Sequence, residues 1–415
     1  MAEKNNFAVI GAGLIGICTA LELQHRGCKV TLIDSGEPGR GASFGNAGFI
    51  ASELIDPLST PDTIRKALPM LLNPHGALSI PLKNLHRSLP WMARFALSAR
   101  SQAVARSRDA LAQLLRTAVP AWQALLGREG LSTHLHRSHY MRVWERAEGR
   151  GAARAEQRFY NDWGIEAQFA ETEQVVALEP ALDGQISHAV LLPDAHRLSD
   201  PYQVSQLLFK RFQERGGLFV RGHVESLRPD EHGVELAVSG SKQLFDKAII
   251  CTGAHSSEIL RSLKVTVPLM AERGYHLNLP SVKNLITGPI CSAERNVFIS
   301  PLGEGLRIVG FSELGGVKLP ENPARYETLK HHLSALLPQT SPHLEQASKW
   351  MGMRPTLPDS LPVIDSLPNV PCIGFAFGHQ HAGITLAATT SQLIADRMTK
   401  GFDTMDLSPF QISRF

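Results

Sequence analysis

Residue types and spacings near the N-terminus suit nucleotide chemistry. Gly11-Ala12-Gly13-Leu14-Ile15-Gly16 follows the apolar run Phe7-Ala8-Val9-Ile10 and opens a stretch whose apolar positions recur at helical spacing as far as Arg26. In that order of strand, turn and helix, Gly11 permits a tight turn, Gly13 lets backbone approach a pyrophosphate, and Gly16 lets the helix sit close on the strand. Amides at the helix start then face the anion. Gly27 ends the helix, and a second apolar run, Lys29 to Ile33, finishes at Asp34. A carboxylate there accepts the hydroxyls of an adenosine ribose and repels a 2′-phosphate, so the pattern predicts a dinucleotide site that disfavours NADP.

The glycine-dense loop Gly39-Arg40-Gly41-Ala42-Ser43-Phe44-Gly45-Asn46-Ala47-Gly48 distinguishes between dinucleotides. A nicotinamide does not call for it, whereas a flavin does, because its pyrophosphate and ribityl chain must be led from the adenosine pocket toward the sheet edge. The same loop contains a G-x-S-x-G pattern, Gly41 to Gly45, but Ser35 to Arg40 cannot be the buried strand that a hydrolase nucleophile needs before it. Another buried strand, Lys247 to Thr252, ends on Gly253-Ala254-His255-Ser256. Near the C-terminus stand Gly352-Met353-Arg354-Pro355-Thr356-Leu357-Pro358-Asp359 and Gly378-His379-Gln380-His381-Ala382-Gly383-Ile384-Thr385. The second of these is expected to open a helix reaching Lys400, with its N-terminus placed to stabilise negative charge. His134, His136 and His139 lack accompanying cysteines or a carboxylate pattern, so no metal site is expected.

The elements that must position these residues fit a chain of 415 residues, 43% hydrophobic and 20% charged, with room for two or three domains. A net charge of +3, from 42 Lys+Arg against 39 Asp+Glu, is too close to balance for nucleic acid as the principal partner. Five scattered cysteines without a C-x-x-C pair suggest neither a disulfide framework nor zinc, and a reducing cytoplasm is the expected location. No apolar run is long enough to span a membrane. One segment stands out: Asp62 to Arg116 carries nine cations against Asp62 and Asp109, a net +7, set among leucines with Trp91, Met92 and Phe95. It reads either as a surface for anionic lipid at the inner face of the membrane or as a solvated helix face over a substrate pocket.

Taken together, GAGLIG with Asp34, RGASFGNAG, CTGAHS, GMRPTLPD and GHQHAGIT resemble the D-amino-acid oxidase and dehydrogenase superfamily of FAD enzymes from end to end. The S-F-x-N-A-G loop and Glu272-Arg273-Gly274-Tyr275-His276 carry a narrower likeness to bacterial D-amino-acid dehydrogenases, including those acting on cis-4-hydroxy-D-proline. The resemblance implies an α/β fold: a Rossmann-like FAD-binding domain from residues 1–60, 195–260 and 345–415. A discontinuous α+β substrate domain with a mixed or antiparallel sheet would comprise 61–194 and 261–344. It implies that Gly11, Gly13, Ile15, Gly16, Asp34, Ser35, Arg40, Ser43, Asn46, Ala47 and Gly48 hold FAD. Val224, Thr252, Gly253, Gly378, His379, Gly383, Ile384 and Thr385 join them, the last three facing flavin N1 and the C2 carbonyl.

On the substrate side the resemblance implies that Arg354 grips a carboxylate, its planar fork fixing orientation as well as affinity. Where relatives place a strand tyrosine this chain has Phe298, so either Tyr275 supplies the hydroxyl or the pocket is more apolar. His379 has either a proton role or a loop-shaping one. The implied reaction is hydride transfer from the Cα of a D-amino or D-imino acid to flavin N5, with electrons passed to a quinone or another carrier. The alternatives are a glycine- or sarcosine-type oxidase using oxygen, and an FAD-binding subunit of a hetero-oligomeric dehydrogenase.

Overall fold

In the computed structural model, which describes residues 5–73, 75–303 and 305–415, the first apolar run becomes the strand Asn6–Ile10 in a six-stranded sheet. It is flanked in parallel by Lys29–Asp34 and Lys247–Ile250. Leu218–Arg221 extends one side, and Val370–Phe377 with its antiparallel neighbour Val363–Leu367 the other. The inner strands are nearly all buried because both faces are covered, one by helices and the other by a small antiparallel meander. On one side Leu14–His25 packs against Ala387–Lys400 and Pro201–Glu214. Asp200 caps Pro201–Glu214 by accepting from the amides of Tyr202 and Gln203, and proline occupies its first turn. A small antiparallel meander, Val224–Asp230, Gly233–Val238 and Ser241–Phe245, sits beside this layer.

A second, ten-stranded mixed sheet forms the other half of the molecule. Its edge strand Ser348–Thr356 pairs with Met270–Leu279, which pairs in turn with Gly305–Glu313. Val297–Leu302, Ile290–Ser292, Leu135–Trp144, His188–Leu198 and Phe49–Ile50 follow. Phe49–Ile50 and Ser348–Thr356, expected in the FAD domain, thus belong to the substrate sheet. Nine residue pairs in antiparallel register tie Ser348–Thr356 to Met270–Leu279 and decide its membership.

The C-terminal helix begins at Ala387, not at Gly383. The carbonyl of Ile384 accepts from Trp122 Nε1 at 3.0 Å and the Thr385 hydroxyl from the Ala51 amide at 2.9 Å. These long-range partners hold the preceding residues in a turn. The basic segment forms Pro61–Leu72, which buries none of its residues, Leu85–Ser98, and Ser101–Leu115, which buries one face in the core. Leu68, Leu72, Leu82 and Leu89 are 54–84% exposed, whereas Ile64, Ala67, Met70, Met92 and Phe95 line a cleft. No helix among the described residues is long and apolar enough to cross a membrane.

Gly16 shows how tightly the first helix seats on its turn: a Cβ there would lie 1.8 Å from the Gly11 carbonyl oxygen. Gly16→Ala is therefore expected to destabilise the chain by about 3 kcal/mol, the upper end for overpacking. The check is the urea midpoint, and an unshifted midpoint refutes the close seating.

Candidate active site

Between the two sheets lies a cleft of about 1720 Å³. Its floor begins at the glycine turn, where Gly11 has φ +103° and donates its amide to the Ile33 carbonyl at 2.8 Å. Asp34, at the end of the next strand, accepts from the amides of Ala12 at 2.6 Å and Gly36 at 2.7 Å, locking the turn to the strand end. A carboxylate has about four lone-pair sites, so acceptor capacity remains. A Cβ at Gly13, Gly41 or Gly253 would meet nothing within 4 Å, and all three line the cleft.

The glycine loop is held from the other side. Arg307 donates to the carbonyls of Phe44 at 3.1 Å and Asn46 at 2.8 Å, and His276 Nδ1 donates to that of Gly45 at 3.0 Å. Phe44 packs on His276 and Trp350, and Arg40 lies over the Phe44 ring. Burial, together with the neighbouring Arg307 charge, pushes His276 down to about 3, so its ring is neutral.

The cleft reaches Gly11, Gly13, Ile15, Asp34, Ser35, Arg40, Ser43, Asn46, Ala47, Val224, Thr252, Gly253, His379, Gly383 and Ile384. Gly16, Gly48, Gly378 and Thr385 lie behind it. Gly16 serves packing, Gly48 and Gly378 supply positive φ of +77° and +86°, and Thr385 pins Ala51. His379 is buried and bonded through Nε2 to the Thr390 hydroxyl at 2.9 Å, while its buried Nδ1 has no partner among the described residues. Burial drives it down to about 3, too weak a base to hold a proton at neutral pH. These features fit a flavin dinucleotide: open glycine faces along its path, a carboxylate at the strand end, and a buried ring nitrogen awaiting a partner.

The substrate wall centres on a residue the motifs did not flag. Glu272, 2% exposed, accepts from Arg354 Nη1 at 3.1 Å, His381 Nε2 at 3.0 Å, the Ser312 hydroxyl at 2.6 Å and the Thr356 hydroxyl at 2.9 Å. Burial alone would raise its carboxyl, but His381 and Arg354 outweigh that and hold it well below the usual range. Arg354 Nη1 also donates to the Phe311 carbonyl at 2.8 Å. The guanidinium lies over Gly274, where a Cβ would come within 2.2 Å of Nη2. Both protein hydrogen bonds use Nη1.

Tyr275 points the other way. Its hydroxyl donates to Glu313 at 3.0 Å and accepts from the Asn322 amide at 3.1 Å, and its ring packs on Tyr326 and Phe311. Arg273 is likewise spent on the carbonyls of Gly316, Leu319 and Pro320. Phe298 lines the cleft within an aromatic group with Phe49 and Tyr140. Two histidines of the 134–139 segment are committed to separate partners, His134 to Ser199 and His139 to Glu179.

A largely parallel nucleotide sheet facing an antiparallel substrate wall across one cleft defines a flavin-dependent oxidoreductase. The family model for FAD dependent oxidoreductases (DAO) matches residues 6–397, and the chain belongs to that family. A D-amino-acid oxidase of Bradyrhizobium diazoefficiens is 30% identical over the whole of both chains. D-amino acid dehydrogenase 2 of Ralstonia nicotianae is 27% identical over 98% of this chain and 99% of its own. Glycine oxidase from Geobacillus kaustophilus shares the fold at 20% identity, with a TM-score of 0.79 over 99% of this chain and 98% of its own. The protein is an FAD-dependent oxidoreductase.

Glu272→Gln is expected to cost about 2 kcal/mol at neutral pH, because it leaves the half-buried Arg354 without its counter-charge. The folded carboxyl titrates below the ordinary value of 4.5. Its contribution is therefore complete above that pH and lost as pH falls through the lower folded value. Urea unfolding from about pH 3 to pH 8 should show the gap between wild type and variant narrowing only on the acid side. A gap independent of pH refutes the assignment.

Proposed function

We propose that the enzyme oxidises a D-amino or D-imino acid to the imine and passes the electrons to a quinone or another carrier. The carrying observation is Arg354, a cation fixed by Glu272 and the Phe311 carbonyl on the wall of the cleft, with Nη2 making no bond to protein among the described residues. FAD supplies the two-electron acceptor for hydride from the substrate Cα. Arg354 takes the carboxylate in its fork, and Glu272 keeps that fork from swinging, so the Cα–H bond is presented in one orientation. His381, on the same carboxylate, flanks the binding space. The substrate amine must be neutral for the step, and His379 leaves that proton to solvent.

The names of the two sequence relatives support the D-configuration, and the dehydrogenase name supports the carrier. The oxidase name favours oxygen as a second reading. Anaerobic flavin bleaching by D-amino acids, D-proline, cis-4-hydroxy-D-proline, sarcosine and glycine tests the substrate class. Stopped-flow reoxidation tests the acceptor, and rapid reaction with oxygen overturns the carrier reading.

Arg354→Lys keeps the charge and loses the fork, and Arg354→Ala loses both. KM should rise about tenfold in the first and at least a hundredfold in the second, with FAD content unchanged. Equal effects, or loss of flavin, refute the carboxylate role. The exposed leucines among Arg65, Lys83, Arg87 and Arg94 support peripheral contact with anionic lipid. The protein should sediment with anionic vesicles at low salt and be released as salt rises, and equal binding to neutral vesicles refutes it.

A further inference from the structure

Beyond the Arg354 wall, the cleft contains a second polar corner that none of the chemistry above uses. Glu53, 7% exposed, lines it from the segment just after the glycine loop. Its Oε2 is buried with no hydrogen-bond partner among the described residues. The Arg142–Glu156 ion pair, 3.3 Å apart, stands close enough for Glu156 and Glu53 to sense each other's charge. Arg142 Nε and Glu156 Oε1 are also buried without hydrogen-bond partners among the described residues. About a third of the Arg142 side chain is still accessible, and the residue lines the cleft. The rings of Phe49, Tyr140 and Phe298, with centroids 4.7–5.8 Å apart, close the apolar side.

Three unsatisfied polar atoms in one corner are costly to fold, because each has given up its hydrogen bonds to water. Folding alone would favour an apolar residue at position 53, so the cost points to a ligand. The charge balance narrows that ligand. Arg142 and Glu156 cancel, and burial pushes Glu53 up to about 8, which leaves it protonated and neutral at physiological pH. A cation or anion brought into this corner would have no counter-charge waiting. A neutral carboxyl both donates and accepts, as a hydroxyl or amide does in return.

We propose that Glu53 is a specificity-determining residue, and that its corner with Arg142 and Glu156 binds an uncharged hydrogen-bonding group, hydroxyl or amide, on the substrate's side chain or ring. This rests on the reading of the cleft as an amino- or imino-acid site and adds to it a second recognition point. A site built to hydrogen-bond such a group rejects the analogue lacking it, because its own polar atoms are then left unpaired.

The experiment measures kcat/KM of the FAD-loaded enzyme for substrate pairs differing in that group: D-serine against D-alanine, D-glutamine against D-norleucine, and cis-4-hydroxy-D-proline against D-proline. D-lysine is included as a cationic probe. The wild type is expected to favour the polar member of at least one pair by tenfold or more. Glu53→Gln should keep that preference, because an amide reproduces a neutral carboxyl. Glu53→Leu should abolish it with little change for the apolar member. Glu53→Leu should also melt higher than wild type, since an unpaired buried polar group is removed. The proposal is overturned if no pair is discriminated, if discrimination survives in Glu53→Leu, or if D-lysine is preferred and Glu53→Gln loses that preference. If no member of the panel bleaches the flavin, the amino-acid reading of the cleft itself falls, and this inference with it.

Discussion

Glu272 is the point on which the substrate wall depends. A carboxylate removed from water is costly, and this one is tolerated because four donors surround it: Arg354 and Thr356 from the edge strand, Ser312 from the opposite neighbour, and His381 from the C-terminal loop. The first three stitch three adjacent strands together. The fourth joins that sheet to the loop entering the nucleotide layer, so one buried charge fixes both the internal geometry of the wall and its placement against the cofactor side. Arg354 could hold a carboxylate without Glu272, but not in one orientation.

The same logic of capturing backbone from across the cleft governs the glycine loop. A loop so rich in glycine has many conformations open to it, and glycine loses more freedom on ordering than any other residue. Arg307 and His276, both on substrate-sheet strands, take three consecutive carbonyls and leave the loop one path. Cofactor loop and substrate wall are therefore built as one assembly, although they are far apart in sequence.

That division explains what could be read from the chain alone. The glycine turn, Asp34 and the flavin loop are local: each needs particular residues at adjacent positions, so spacing announces them. Glu272 and Arg307 act through partners 40 to 263 positions away, Glu53 stands beside a Glu156 that is equally remote in sequence, and no local pattern marks them. An acid following the apolar Phe49-Ile50-Ala51 was the available hint for Glu53. Which residues of the Glu272–His276 segment face the cleft was hidden for a further reason. Met270–Leu279 is buried on both faces, so the polar–apolar alternation that normally tells inside from outside is missing. The C-terminal helix start was misplaced because Gly383 already has helical backbone angles, and only the distant Trp122 and Ala51 end the resemblance.

Along Met270–Leu279 two jobs alternate residue by residue. Glu272, Gly274 and His276 address the cleft and the flavin loop, while Arg273, Tyr275 and Leu277 bind the reverse side to the fold. With a side-chain period of two, a single inserted or deleted residue would exchange the sets wholesale, putting the structural arginine into the reaction space and the anchoring glutamate into the core. The strand can thus diversify in evolution only by point substitution within each parity class. Even positions would be tuned by substrate and odd positions by foldability, so adjacent codons would answer to different selective pressures.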